Sequence, residues 1–253
     1  MNFIRSAFYV LVLAIITPII AFAMAIVMPF TKRSAPFRLA KLWTQMAIFS
    51  LRWICGIKEE IRGAENVPST PTIVMAKHQS SWETVFFVTY FPEHTWVIKQ
   101  ELVRVPFFGW GIAMLTPVAI DRSAGKDSLQ QVVEQGAKRL EEGLWMMIWP
   151  EGHRIAPDKK GRYKIGGAWL AAQTNTPILP VAHNAGTYWP RHWFWKTPGT
   201  ITMSIGPLIH PNGREPSEIL TEVETWIENE MHRISPSYVG TPAEPVYAET
   251  AAR

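Results

Sequence analysis

The chain is short of charged residues and nearly devoid of cysteine. Charged residues make up 18% of its 253 positions, below the roughly one quarter that is usual for globular domains. The single cysteine, Cys55, excludes an intramolecular disulfide and any zinc site built from several cysteines. No run of five lysines or arginines occurs, and a net charge of +4 is too small and too scattered to predict nucleic-acid binding.

Two signatures of hydrolytic enzymes are also missing. No His-Glu-x-x-His segment occurs, and that spacing is what places two histidines on one helix face to bind zinc. No Gly-x-Ser-x-Gly segment occurs either, so the strained turn that exposes a nucleophilic serine in many hydrolases is not predicted. We therefore expect no metal site, and a serine hydrolase is disfavoured.

The N-terminal segment has the length and composition of a membrane anchor. From Ser6 to Thr31 no residue is charged, and roughly 20 apolar residues suffice to cross a hydrocarbon core as a helix. Pro18 interrupts the run, so a kinked span and a re-entrant pair of short helices both fit. A cleaved signal peptide is the alternative, because Ala-Phe-Ala at 21–23 resembles a cleavage site. Since the apolar run continues past that site, we expect an uncleaved anchor.

The charges that flank this segment predict its orientation. One basic residue, Arg5, precedes the run, and four follow it. Because basic residues concentrate on the cytoplasmic side, the rest of the chain is expected in the cytoplasm, at the cytoplasmic membrane. The four residues are Lys32, Arg33, Arg38 and Lys41.

Residues 37–56 have the pattern of an amphipathic helix, with Trp43, Phe49 and Trp53 among the apolar positions and Arg38 and Arg52 among the polar ones. Such a helix can lie in the plane of the lipid headgroups. It can equally pack against the domain that follows, and the sequence does not decide between the two. A second aromatic-rich stretch, Thr187–Gly199, leaves the same choice open: an interfacial loop or aromatic rings that close the site from behind.

Beyond residue 57 short apolar runs alternate with helix-like segments, which predicts an α/β domain with a largely parallel, mixed sheet flanked by helices. We divide the chain into a membrane anchor with an amphipathic helix (1–56), a catalytic domain (57–234) and a loose C-terminal tail (235–253). The predicted strands are Thr72–Ala76, Thr95–Ile98, Pro117–Ile120, Leu144–Trp149, Ile178–Ala182 and Thr200–Ile205. The predicted helices are Asp127–Glu142, Ile165–Gln173 and Glu218–Ile234.

Polar side chains follow the first of these strands, in the segment KHQSSWE. His78 is suited to acid–base chemistry because its pKa lies near neutrality, and ligands gather past the carboxyl ends of strands in open α/β sheets. On one continuous helix His78 and Glu83 would not share a face. They can meet if His78 lies in a loop and the helix begins at Ser80. The same spacing, Ser80-x-x-Glu83, is also a capping box that needs no catalysis to explain it.

Three further segments also combine an apolar strand with residues suited to a site. Pro117–Ile120 ends in Asp121-Arg122, and arginine offers a planar fork of donors to phosphate. A surface ion pair explains that pair equally well. The strand before Trp149 leads into WPEGHR, where Gly152 permits a tight turn that presents Glu151 and Arg154. In the fourth segment Pro180 interrupts a strand, which is more typical of an edge strand or a bulge than of a site.

These four segments, in this order, resemble those of the 1-acylglycerol-3-phosphate acyltransferases of glycerolipid synthesis. The first family motif is a histidine, four residues and an aspartate, and His78 and Glu83 fill its ends. The second ends in an arginine, matched by Arg122, and the third reads F-P-E-G-T-R, where this chain has WPEGHR. The fourth is an apolar strand with a proline, matched at Pro180. The resemblance covers roughly residues 57–210 and departs from the family at Glu83 and His153.

The resemblance implies a glycerolipid-acyltransferase-like domain that moves an acyl group from acyl-CoA or an acyl carrier protein to the hydroxyl of lysophosphatidic acid at a lipid membrane. His78 would be the general base and Glu83 its orienting acid. The substrate-binding residues would be Arg122, Glu151, Gly152 and Arg154, with Glu151 in a supporting role. Backbone N–H groups near Gly152 or at the helix start would stabilise the oxyanion. No metal or resident cofactor is implied; the acyl thioester is a co-substrate. Another lysolipid acceptor, or a silent membrane-binding scaffold, is the alternative.

Overall fold

One seven-stranded sheet organises the catalytic part of the chain. The computed structural model describes residues 1–27, 30–31, 34–104, 108–113, 115–120, 126–191 and 194–240. Its strands are β1 (Ile57–Arg62), β2 (Ile73–Ala76), β3 (His94–Lys99), β4 (Val118–Ile120), β5 (Trp145–Ile148), β6 (Ile178–His183) and β7 (Gly199–Ile205). The α/β class predicted from the sequence is confirmed.

The strands lie in the order β1-β7-β6-β2-β5-β3-β4. All neighbouring pairs are parallel except β6 with β7, so the sheet is mixed but largely parallel, as expected. The strand β2 is the middle one, and its residues Ile73–Ala76 are all buried, which is typical of a strand covered by helices on both faces. The residues that follow β2 therefore emerge at the centre of the sheet edge.

Eight helices accompany the sheet in the part of the chain that the structure describes. They are α1 (Asn2–Val27), α2 (Ser34–Cys55), α3 (Trp82–Tyr90), α4 (Phe108–Ala113), α5 (Lys126–Glu141), α6 (Gly166–Thr174), α7 (Ala185–Tyr188) and α8 (Pro216–Ile234). Helices α2 and α3 cover one face of β2, where they pack on Val74 and Ala76. Helices α6 and α8 cover the other face, where Ile73 and Met75 point.

Two features of the sheet differ from the sequence-based expectation. The edge strand β1 has the sequence IKEEIR, in which four of the six residues are charged, and it is paired on one side only. Two isoleucines alone are too weak an apolar signal to predict a strand. Pro180, expected at an edge or a bulge, lies in the interior strand β6 opposite Met75. The strand tolerates it because the register of β6 with β7 begins at Val181, and the Pro180 carbonyl still accepts the N–H of Gly206.

The N-terminal segment forms one continuous helix that belongs to the folded unit. Helix α1 passes through Pro18 without a break, so the re-entrant pair is not what the chain adopts. It is long and apolar enough to cross a membrane, yet Ser6 and Tyr9 are buried against the domain. The Ser6 hydroxyl accepts the N–H of Lys196 at 2.8 Å. These contacts favour an uncleaved helix over a cleaved signal peptide.

Helix α2 combines the two interpretations that its sequence allows. One face, which includes Leu51 and Cys55, packs into the domain core. The opposite face leaves Met46, Phe49 and Trp53 exposed. The helix therefore packs on the domain and still presents an apolar surface.

The chain stays in contact with the domain beyond residue 234. Tyr238 is buried, and the N–H of Val239 donates to the Asp158 carbonyl. Part of the predicted tail thus packs on the domain, while residues 241–253 lie outside the described residues.

His94 gives the fold a dependence on pH. Burial lowers the pKa of His94 from 6.5 to about 4, and its Nε2 atom is buried without a partner among the described residues. The unfolded chain therefore takes up a proton at a higher pH than the folded one. We expect the free energy of unfolding to fall by about 3 kcal/mol as pH drops from 6.5 to 4, at about 1.4 kcal/mol per pH unit.

His94→Phe should flatten this dependence, because phenylalanine fills the site without titrating. Denaturant unfolding of both proteins at several pH values between 6.5 and 4 measures the difference. An identical slope in the two proteins would contradict the assignment to His94.

Candidate active site

The loop that follows β2 carries the chemistry that the sequence points to. His78 lies two residues beyond the end of β2, and α3 begins at Trp82. The strand β5 lies beside β2 and runs parallel to it, so the segment after β5, which contains Trp149 and Glu151, reaches the same edge. The first and third sequence segments are thereby brought together.

His78 and Glu83 are in direct contact. The Nδ1 atom of His78 lies 2.8 Å from Oε1 of Glu83, which leaves Nε2 of the ring available to a reacting group. The His78 side chain is 14% exposed, while the Glu83 side chain is fully buried. The loop and the helix start bring together two residues that a continuous helix would separate.

Glu83 also caps helix α3. Its Oε1 atom accepts the backbone N–H groups of Gln79 and Ser80 at 3.0 and 2.9 Å. One half of the capping box is therefore present, since Glu83 accepts the Ser80 N–H. The Ser80 hydroxyl accepts the N–H of Trp82, where α3 begins, and not that of Glu83. One carboxylate starts the helix and orients the histidine ring.

The Glu83 carboxylate stays ionised although it is buried. Burial by itself would raise its pKa, but the neighbouring His183 and His78 rings and the N–H of Ser80 favour the anion, so the pKa lies below its usual value. His183 lies behind the pair, with Nε2 3.9 Å from Oε2 of Glu83. The same Nε2 is 2.7 Å from the Lys77 carbonyl, and burial lowers the pKa of His183. The Nε2–H of this ring donates to the Lys77 carbonyl and so supports the loop.

Glu151 faces the interior. It is fully buried, its Oε2 atom accepts the N–H of His78 at 2.9 Å, and its Oε1 atom lies 2.8 Å from the ammonium of Lys77. The cation that contacts Glu151 is Lys77, and the supporting role of Glu151 toward the substrate site stays a prediction. Its contacts place it behind His78.

His78 opens onto a large apolar cavity of about 350 Å³. One wall is formed by α1 and α2, which contribute Ala21, Met24 and Trp43. The Trp149 indole stacks on the His78 ring at 4.9 Å between centroids and also lines this cavity. A long hydrocarbon chain fits such a space, because burying apolar surface contributes about 0.8 kcal/mol per CH₂ group.

Cationic side chains stand at the borders of the site. Arg154 and Lys99 line the apolar cavity. A second cavity of about 240 Å³ also reaches His78 and Trp149 and is lined by Lys164. These positions suit an anionic group close to His78.

The remaining sequence-predicted residues have different environments. Gly152 adopts a φ of +73° and lines the smaller cavity; a side chain there would collide with Lys164. His153 is exposed and is not among the residues that line either cavity. Asp121 and Arg122 lie outside the described residues, although Ile120, just before them, lines the smaller cavity.

The two backbone regions expected to hold an oxyanion are already engaged. The N–H groups of Gln79 and Ser80 donate to Glu83. The N–H of Gly152 donates to the Trp149 carbonyl at 2.9 Å. These three donors are therefore engaged within the protein, and an oxyanion-binding N–H near them stays a prediction.

Sequence reasoning missed Lys77, His183, Lys164 and the cavity wall supplied by α1. His183 and Lys77 had a usable signal, because each is a polar residue at the end of an apolar strand. No sequence signal places α1 against the site.

Glu83→Ala should destabilise the fold independently of any chemistry. The change leaves the buried N–H groups of Gln79 and Ser80 without their acceptor, at a cost of about 1–3 kcal/mol for a buried group. Glu83→Gln keeps a side-chain oxygen and should cost less. Denaturant unfolding in detergent measures both, and an alanine variant as stable as the parent would refute the capping role.

Comparison with known proteins identifies the family. The model of a family described as Acyltransferase matches residues 58–184. A 1-acyl-sn-glycerol-3-phosphate acyltransferase of Pseudomonas aeruginosa is 41% identical over 240 residues, which cover 92% of each chain. One from Saccharomyces cerevisiae is 30% identical over 141 residues, 52% of this chain and 44% of that one.

The fold has a counterpart among solved structures. The crystal structure of a 1-acyl-sn-glycerophosphate acyltransferase from Thermotoga maritima matches with a TM-score of 0.76 and 22% sequence identity, over 92% of this chain and 97% of that one. At this identity the likeness shows the fold. Together with the family model and the relative of near-equal length, it leads to one conclusion: the chain belongs to the acyltransferase family that includes the 1-acylglycerol-3-phosphate acyltransferases.

Proposed function

We propose that the protein transfers a fatty acyl group from an acyl thioester, on coenzyme A or an acyl carrier protein, to the free hydroxyl of 1-acylglycerol 3-phosphate, giving phosphatidic acid. The observation that carries this proposal is the His78–Glu83 pair at 2.8 Å, which opens onto a long apolar cavity with Arg154 in its wall. The acceptor is the one in the name of the Pseudomonas aeruginosa relative.

In the proposed reaction His78 Nε2 removes the proton of the acceptor hydroxyl as that oxygen attacks the thioester carbon. The tetrahedral intermediate then collapses, the carbon–sulfur bond breaks, and the imidazolium returns the proton to the thiolate. General base catalysis of this kind contributes about 10²–10⁴-fold in rate. Glu83 holds the Nδ1–H tautomer and stabilises the imidazolium that forms, as the acid of a serine-protease triad does.

Direct transfer needs no enzyme nucleophile. The Ser80 hydroxyl, the nearest candidate in the loop, donates to the Trp189 carbonyl at 2.6 Å and accepts the N–H of Trp82. It is therefore occupied in the structure of the loop. The substrate hydroxyl takes the part that serine plays in a hydrolase.

Arginine and lysine side chains would hold the acceptor phosphate and the developing oxyanion. Arg154 and Lys99 in one cavity wall and Lys164 in the other are within the described part of the site. Arg122 is expected to join them by its place in the family motif. Cations in a water-poor cleft stabilise charge that develops in the transition state.

The apolar faces of α1 and α2 would place this site at the cytoplasmic membrane. Helix α1 exposes a row of large apolar side chains that includes Phe8, Ile15 and Phe22, and Phe49 and Trp53 continue it on α2. The excess of basic residues after α1 puts the catalytic domain on the cytoplasmic side. A lysolipid and its product would then exchange with the bilayer across the wall that these helices provide.

His78→Ala should abolish acyl transfer, and Glu83→Gln should lower kcat by about 10²-fold or more, because the neutral amide no longer holds the tautomer or stabilises the imidazolium. The test is a matrix of acyl-CoA and acyl carrier protein donors against lysophosphatidic acid and other lysolipid acceptors, with purified protein in detergent. Glu83→Asp, which keeps the charge, is the control and should lose less. Activity of His78→Ala within a few-fold of the parent would sink the base assignment, and preference for another acceptor would replace lysophosphatidic acid.

Ala21→Phe should shorten the acyl chain that the enzyme prefers, because Ala21 lines the apolar cavity. Ala25→Phe is the control, since Ala25 is exposed one turn further along the same helix and does not line that cavity. The kcat/KM values for long and short acyl chains are compared as a ratio, once with the chain varied on the donor and once with it varied on the acceptor. The substrate whose chain lies in the cavity should show the shift in this ratio. Equal ratios in both variants would count against this use of the cavity.

A further inference from the structure

The ammonium of Lys77 is buried between two carboxylates. Its Nζ atom lies 2.8 Å from Oε1 of Glu151 and 3.0 Å from Oε1 of Glu228, and 3.3 Å from the hydroxyl of Tyr238. All three charged side chains are fully buried. A lysine is almost never buried in this way unless it is paired. Lys77 directly precedes His78, which links these buried ion pairs to the candidate site.

Tyrosines complete the side of the cluster that faces α8. The hydroxyls of Tyr163 and Tyr238 both donate to the Glu228 carboxylate. Burial raises the pKa of each phenol, so both stay protonated and remain donors. Glu228 is thus held by two hydroxyls as well as by Lys77.

The other side of the cluster leads to His78. Glu151 accepts the ammonium of Lys77 and the N–H of Gly161 on Oε1, and the N–H of His78 on Oε2. No second cation contacts Glu151 among the described residues. The ionised state of Glu151 therefore depends on Lys77.

Every backbone group of the dipeptide 77–78 is held from outside the loop. The N–H of Lys77 donates to the Val181 carbonyl at 3.0 Å, and the His78 carbonyl accepts the N–H of Ile155 at 2.8 Å. The Lys77 carbonyl accepts Nε2 of His183, and the N–H of His78 is taken by Glu151. The fixed main chain leaves the histidine ring little freedom beyond its own torsions.

We propose that Lys77 is a positioning residue for the proposed base His78, acting by keeping Glu151 a carboxylate that anchors the His78 backbone. The inference rests on the proposed role of His78. Lys77 touches neither cavity and contacts no reacting atom; it acts through Glu151. Loss of Lys77 should therefore lower kcat, because a base misplaced by about 1 Å can cost 10²-fold in rate while the substrate still binds.

Removal of the ammonium changes the charge balance in a defined direction. The pKa of Glu151 lies above its usual value, because burial raises it more than Lys77 and the His78 N–H lower it, and Glu228 raises it further. Without Lys77, burial and Glu228 favour a protonated Glu151, and only the backbone donors favour the carboxylate. A neutral carboxyl is a weaker acceptor for the His78 N–H than a carboxylate, so the loop loosens.

Lys77→Met and the double variant Lys77→Met/Glu228→Gln test the proposal, and Lys58→Met, an exposed lysine on β1, is the control. The double variant removes one of the two buried carboxylates and relieves their repulsion. Folding is checked by circular dichroism and thermal unfolding in detergent. We expect the folded double variant to have a kcat about 10²-fold lower than that of the parent and a KM for lysophosphatidic acid within about three-fold of the parental value. The acid limb of its kcat–pH profile should move to higher pH, because Glu151 takes up a proton.

His78→Ala in the same assay separates this proposal from the proposed function. If the parent protein transfers no acyl group, or His78→Ala stays active, the proposed function itself is wrong. If His78→Ala is inactive while the folded Lys77 variants keep the parental kcat and pH profile, the positioning role is wrong. A rise in KM with unchanged kcat, or failure of both Lys77 variants to fold, would assign Lys77 to binding or to the architecture and likewise overturn it.

Discussion

The site depends on one buried carboxylate. Glu83 accepts two backbone N–H groups and the His78 ring on the same oxygen atom, and these contacts keep it ionised in spite of its burial. The start of α3 and the orientation of His78 are therefore not independent. Glutamate is one methylene longer than the aspartate of the family motif, and its carboxylate contacts both the His78 ring and the two N–H groups before α3.

Around that carboxylate the protein buries an unusual amount of charge. Lys77, Glu151 and Glu228 are fully buried, and each has its hydrogen-bonding partners within the domain. An ion cluster of this kind contributes little net stability, because desolvation offsets much of the attraction. The cluster instead fixes the positions of its side chains, because a buried carboxylate with fixed donors can adopt few alternative arrangements.

The two N-terminal helices, α1 and α2, form part of the candidate site. Helix α1 supplies part of the wall of the cavity that reaches His78, and its N-terminal end is held through Ser6 and Lys196. Trp43 of α2 donates to the Thr17 hydroxyl at 3.0 Å and ties the two helices together beside that cavity. The exposed apolar surface and the wall of the cavity that reaches His78 are thus formed by the same pair of helices.

Much of this was readable from the sequence. Local patterns determine the strands of the sheet interior, the long helices and the anchor, because hydrophobic periodicity, caps and chain length are properties of neighbouring residues. The His78–Glu83 contact was predictable for the same reason, as it lies within a single turn and its helix cap. Only the tertiary structure decided that Glu151 faces Lys77, that His183 supports the loop and that α1 walls the cavity. The first two contacts join residues 74 and 106 positions apart. Burial selects all three through the packing of whole elements, for which a linear pattern carries no signal.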